Sequence, residues 1–168
     1  MKGLGFSKFV LEYSAASEAG EDIRIRRTFY SGVSNPSRTS TNEILFFKPS
    51  SRENLVKALN DYRIHGISLD RTNYHLLKKN LLHLIKIKNK FIEIRLNESS
   101  SELIRRSIEW GYNNIKIVFS SCASTISDVW PPLSLFNYLL IHGASSSRAI
   151  VWISRYPMEL FNIVSDIS

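Results

Sequence analysis

The chain has 168 residues, 43% of them hydrophobic and 22% charged, the composition of one folded domain, spanning residues 1–168, with a single core. No apolar run approaches the roughly 18 residues of a membrane span, since the most leucine-rich segment, 76–87, is interrupted by Lys78, Lys79, Asn80, His83 and Lys86. The net charge of +7 is unevenly placed: residues up to Lys116 carry 20 Lys and Arg against 12 Asp and Glu, and the remainder 2 against 3, a one-sided surplus that suits a polyanionic partner. The lone Cys122 cannot form an internal disulfide and no export signal opens the chain, so a reducing cytoplasm is the expected location.

In chain order, residues 6–13 and 22–30 read as strands, the second alternating Arg24 and Arg26 with Ile23 and Ile25. A polar loop follows, then a short apolar strand at 43–48. Pro49 ends it ahead of a helix for which Ser50 and Glu53 have capping-box spacing, with Leu55, Val56 and Leu59 facing inward. The next strand is 64–69. A helix from about Asn73 places Leu77, Leu81, Leu84 and Ile85 on one face and Lys78, Lys79, Lys86 and Lys88 on much of the rest.

Residues 90–96 form a strand, 99–110 a helix closed by Gly111, and 114–119 a β-branched strand that runs into a turn of small residues at 120–124. After Trp130-Pro131-Pro132 comes a helix ending at Gly143. The last segment holds two short helical patterns split by Pro157.

Strands alternating with helices in units of about 25 residues predict parallel βαβ crossovers, hence an α/β fold with helices over a parallel sheet. In Phe91-Ile92-Glu93-Ile94-Arg95 the pleat puts Ile92 and Ile94 on one face and Phe91, Glu93 and Arg95 on the other. A barrel interior accommodates that charged pair better than a sheet between two apolar helix layers, and no glycine-rich phosphate loop follows any strand.

Dedicated chemistry is sparse. The four histidines are scattered, with no metal-ligand spacing. His65 and Asp70 bracket one strand and are the best candidates for a hydrolase site, but their pleat parity is opposite. Cys122, beside Ser120 and Ser121, lacks the surroundings of a nucleophile elbow. Glu93 suits an interior ion pair with an arginine such as Arg95 or a neighbour. The basic residues carry a phosphate-binding reading: Arg24, Arg26 and Arg27 on one strand, Lys78, Lys79, Lys86, Lys88 and Lys90 along the helix and after it, together with Lys48 and Arg71. The alternatives are protection of an exposed sheet edge and plain solvation. Trp130 is a candidate anchor for a protein partner or a cap on the barrel end.

Taken in order, these segments resemble a known family. The resemblance runs through Gly5-Phe6, Phe47-Lys48-Pro49 with Asn54 and Ala58, residues 67–70, and Phe91-Ile92-Glu93-Ile94. It continues through Ser120-Ser121-Cys122-Ala123, Asp128-Val129-Trp130-Pro131-Pro132, Gly143, Ala149, Ile153-Ser154 and Pro157. The chain is similar to ribonuclease P protein component 3, the archaeal relative of the eukaryotic thirty-kilodalton subunit of RNase P and MRP. The resemblance implies a TIM-barrel-like fold of βα repeats and a subunit with no active site or cofactor of its own. It also implies direct pairing with component 2, assembly with components 1 and 4, and support of a catalytic RNA that uses Mg2+ to remove 5′ leaders from precursor tRNA. Glu93, Arg95, Ser120, Ser121, Ala123 and Pro132 then hold family-motif structural positions.

Two departures qualify the match. Cys122 stands where the family turn has glycine, which makes a positive φ there unfavourable, and Trp130 stands where arginine is frequent. The segment at Gly5-Phe6 also lies close to Met1, which leads us to expect a barrel incomplete at its N-terminus.

Overall fold

A computed structural model describes residues 7–12, 23–29 and 43–163, with every side chain among them except those of Phe9, Arg24 and Arg27. Gly5 and Phe6 lie outside the described residues. The short apolar runs become strands: Phe9–Glu12 (β1), Ile23–Phe29 (β2), Glu43–Phe47 (β3), Gly66–Leu69 (β4), Phe91–Arg95 (β5) and Lys116–Ser120 (β6). They pair in sequence order, each with the next and all parallel. Parallel neighbours need crossovers, and helices supply them after β3: Arg52–Asn60 (α1), Lys79–Ile87 (α2) and Ser101–Tyr112 (α3). The sheet curls into a half-barrel with these helices between its strands.

After β6 the chain continues as Pro132–Ile141 (α4), Ser146–Ile150 (α5), a π-helical turn at Val151–Arg155 and Tyr156–Asn162 (α6). No helix among the described residues is long and apolar enough to cross a membrane.

The pleat sorts the residues into two cores. Leu45, Phe47, Ile67, Leu69, Ile92, Ile94 and Ile117 face outward and pack with Leu55 and Leu59 of α1, Leu81 and Ile85 of α2, and Leu103 and Ile104 of α3. Each side chain fully buried there contributes about 1.5–3 kcal/mol. Ile44, Phe46, Phe91 and Val118 face inward and form a second cluster with Leu160 of α6, against which Val10, Tyr156 and Ile163 pack. The ammonium of Lys8, ahead of β1, lies 4.6 Å from the Phe161 ring centroid, so α6 approaches both ends of the sheet. Gly66 is where the inner face is tightest: a Cβ would strike the Phe46 ring and come within 2.8 Å of the Phe91 carbonyl oxygen.

Several boundaries differ from the sequence reading, each for a local reason. The cap of α1 is Ser51, whose hydroxyl accepts from the Asn54 N–H at 3.2 Å; Ser50 instead accepts from the Asn54 side chain. The helix expected from Asn73 begins as a 3-10 turn, Tyr74–Leu76, and α2 starts only at Lys79. The cause is Asn73 itself, whose buried amide is committed to backbone groups of Asp70, Ser68 and Pro49.

Pro157 does not split the last segment. The π-helical turn immediately before it absorbs the missing N–H, and the helical run is continuous from Ser146 to Asn162. Gly111 does not close α3. It lies inside the last turn, and closure falls to Asn114 at φ 63, with Asn114 N–H bonded to Gly111 O and Ile115 N–H to Trp110 O. Gly143, at φ 100, does close α4 by the same double bond pattern to Leu140 and Leu139.

Gly111 is required by packing: a Cβ there would strike Trp152 and sit 2.7 Å from its Cε2. Helix propensity alone would reward Gly111→Ala by about 1 kcal/mol. We expect overpacking to reverse the sign, with a net loss of about 1–3 kcal/mol. Urea unfolding measures it, and an unchanged or raised midpoint would contradict the packing assignment.

Candidate functional site

In a curled parallel sheet the strand C-terminal ends converge at one rim, the usual place for chemistry. The inner-face parity of this sheet brings polar residues inward beneath that rim and up to it: Glu12 and Arg26, Thr28, Ser68, Glu93, Arg95 and Ser120 are all register partners of one another or of the inner cluster. Arg26 and Glu93 are 5% and 2% exposed. Their side chains form a bidentate pair: Arg26 Nη1 donates to Glu93 Oε1, and Nη2 donates to Glu93 Oε2 at 2.8 Å and to Thr28 Oγ1 at 2.7 Å. Arg26 Nε lies 3.2 Å from Glu12 Oε2, whose carboxylate also accepts from the Thr28 N–H at 3.0 Å. Burial opposes the charge on Arg26, but Glu93 and then Glu12 outweigh it and raise its pKa.

A second network lies after β3, β4 and β5. The Lys48 ammonium is paired with Asp70 and stands 3.3 Å from Glu98 Oε2. Arg95 donates from Nε at 3.0 Å and from Nη2 at 2.5 Å to Glu98 Oε1. Asp70 Oδ1 also accepts from the Thr72 N–H at 2.7 Å and the Thr72 hydroxyl at 2.5 Å. Burial raises the Asp70 carboxyl, but hydrogen bonds from Lys48 and Thr72 prevail and hold it well below the usual carboxylate range. It is a locked carboxylate, poorly suited to accept a proton near neutrality.

The two residues that bracket β4 are not brought together. His65 precedes Gly66 and Asp70 follows Leu69, which separates them by the strand's length, about 15 Å. His65 serves the sheet instead. Its Nδ1 accepts from the Leu45 N–H at 2.9 Å, while its backbone N–H donates to Leu45 O at 2.8 Å. Burial, aided by the charge of Lys90, lowers its pKa and keeps the ring neutral.

Cys122 adopts φ 49, so the left-handed conformation persists without the turn glycine, contrary to the expectation from a β-carbon there. The Ser120 hydroxyl accepts from the Cys122 N–H at 3.4 Å and helps hold the turn. Burial and the Glu93 charge push the thiol up, away from a reactive thiolate. Ser121 Oγ accepts the Trp130 N–H at 3.0 Å, the Trp130 indole donates to Asn97 Oδ1 at 2.9 Å, and the ring packs 4.9 Å from Tyr138. Trp130 thereby ties the loops after β5 and β6. Ala123 is exposed beside this turn and Pro132 opens α4. Among the described residues no three His, Cys, Asp or Glu side chains converge to hold a metal ion.

The basic candidates divide by position. Arg26 is turned inward, since the inner-face carboxylate of Glu93 claims its fork, and is thereby withdrawn from an exposed phosphate-binding face. Lys90 is buried likewise: its amine donates to the carbonyls of Ile64 and, at 2.9 Å, Asp61. Lys48 is half-buried in its acid network. The side chains of Arg24 and Arg27 lie outside the described residues. By contrast Arg71, Lys78, Lys79, Lys86 and Lys88 are exposed, and among the described residues none of them has an acid within ion-pair distance. Helix α2 begins with no side-chain cap and no acid in its first turn, so its positive end adds to their field.

Sequence reading missed Asn73, Glu98 and Glu12. Only Asp70-Arg71-Thr72-Asn73 carried a readable signal, as a turn sequence after an apolar strand. No protein-family model matches the chain, and no curated protein matches it.

Two tests follow from the buried polar groups. Glu93→Ala leaves the Arg26 guanidinium buried with only Glu12 and Thr28, and should cost about 3–5 kcal/mol, whereas Arg26→Met combined with Glu93→Leu should recover most of the loss; a near-neutral single variant would show that the pair is not buried. For His65 the folded pKa lies below the unfolded value of about 6.5. Its contribution to stability is therefore complete above that pH and is lost as pH falls beneath it, at up to about 1.4 kcal/mol per pH unit. His65→Asn, which keeps an acceptor for Leu45, should flatten the urea midpoint between about pH 7 and pH 5.5; an unaltered slope would assign the effect elsewhere.

Proposed function

We propose that this chain is protein component 3 of ribonuclease P, a TIM-barrel-like subunit that organises RNA and leaves bond cleavage to it. The observation that carries the reading is the split among the charges. Those at the strand ends are neutralised within the protein, while Arg71 and the lysines of α2 face solvent without acid partners among the described residues. Such cations release counterions from a phosphate backbone and bind it without base readout. The ordered resemblance of the motifs supplies the rest: direct pairing with component 2, association with components 1 and 4, and precursor tRNA as the substrate of the assembly in the cytoplasm.

Mg2+ in this reading belongs to the catalytic RNA, and the subunit lowers the demand for it by neutralising phosphate. For component 2 we assign the exposed face of α4, where Leu133 and Ile141 are 70% and 81% exposed and the helix has no charged residue. Apolar surface of that kind is costly to leave in water.

Reconstitution tests the reading. Adding the chain to the RNA and the other components should reduce the Mg2+ concentration needed for leader removal. Replacing Lys78, Lys79, Lys86 and Lys88 together by Ala should reduce the salt slope of RNA binding by about 2–4. A slope unchanged by these replacements, with cleavage indifferent to the chain, would remove it from the ribonucleoprotein.

A further inference from the structure

Two open clefts flank the 3-10 turn at Tyr74–Leu76 and share His75. The one on the α2 side has a volume of about 350 Å3 and a mixed lining. Its lining combines apolar Leu77, Leu82 and the largely buried Trp110 with the cations Lys78, Lys79 and Arg106. Tyr74 and His75 add aromatic walls. One acid is at hand: Glu102 accepts from the Tyr74 hydroxyl at 2.9 Å and from Arg106 Nε at 3.0 Å, and so fixes the orientation of both. The Arg106 guanidinium sits 6.0 Å from the Tyr74 ring centroid. The remaining two cations are uncompensated among the described residues, and the cleft is net positive.

A ligand matching this lining has a flat ring for the apolar residues and an anion for the cations. A phosphate alone would leave the apolar lining wet, and an apolar ligand would leave Lys78 and Lys79 unanswered. The union of the two is a nucleotide. We infer that this cleft takes one unpaired nucleotide of an RNA strand, its base against Leu77, Leu82 and Trp110 and its phosphate on Lys78, Lys79 and Arg106. A base within a duplex is stacked on both faces and cannot enter, so the site selects an unpaired position in a loop or bulge. The inference rests on the RNA-binding reading and sharpens it, because cations alone favour whichever RNA has the denser charge, and that is the duplex.

The test uses the full chain with two probes, a short oligouridylate and a fully paired RNA duplex of the same length. The strand should bind about tenfold tighter than the duplex, the scale of a single base stack, and should quench tryptophan emission in a way that Trp110→Phe removes. Lys78→Ala with Lys79→Ala, both on exposed positions, should weaken strand binding about tenfold. Duplex binding equal to or tighter than strand binding, with emission unchanged at saturation, would overturn the nucleotide site and leave phosphate binding standing. Failure to bind either RNA would overturn both.

Discussion

The buried pair of Arg26 and Glu93 governs how the inner face of this protein is built. A guanidinium on β2 and a carboxylate on β5 are removed from water by the curl of the sheet, and neither can remain there alone. They meet across β3 and β4, 67 residues apart in sequence. The meeting requires every intervening strand to hold its register, since a slip of one residue would turn either group to the helix side. Thr28 and Glu12 complete the shell, so that β1 and β2 depend on the same carboxylate. The network of Lys48, Asp70, Glu98 and Arg95 extends the rule to the rim, where Lys48 joins acids from two other loops and Arg95 pairs with Glu98 three residues on.

The same curl leaves an open side, and the C-terminal helices fill it. Leu160, Tyr156 and Ile163 add apolar surface to the inner cluster, and Glu159 pairs with Lys116 on β6. Trp152 is fully buried and packs edge-on to Phe119 of β6 and to Tyr112 of α3. Gly111 makes room for it. The helical run can reach these partners in one piece because the π-helical turn carries it past Pro157. Covering β6 in this way also shields a sheet edge that would otherwise invite pairing with other chains.

The proposed function follows from the contrast between the two populations of charge. A rim whose acids and bases are mutually satisfied is rigid and poorly disposed to exchange protons, which suits a scaffold. The exposed cations of the 71–88 region have no such partners among the described residues, and their free energy is lowered by a polyanion. The 3-10 turn that interrupts the expected helix matters here. By delaying α2 until Lys79 it opens the space between Tyr74, His75 and Trp110, so that the cationic surface acquires an apolar cleft as well as a field.

The alternation of strands and helices, the parallel pairing and the two-faced character of β5 were legible from Phe91 to Arg95 and from the spacing of apolar residues, because pleat and helix periods are local. The need for Glu93 to have an arginine partner was legible for the same reason. Which arginine was not: the local reading offered Arg95 or a neighbour, whereas Arg95 pairs with Glu98 and the curl that stacks β2 over β5 brings Arg26 to Glu93. Lys90 reads as a surface lysine beside Lys86 and Lys88 but is drawn inward by two carbonyls of a distant loop, and Gly111 reads as a helix stop until Trp152 arrives from far downstream. Local periodicity fixes which face a side chain takes. The partner that waits on that face depends on strand order and closure, and these are properties of the whole chain.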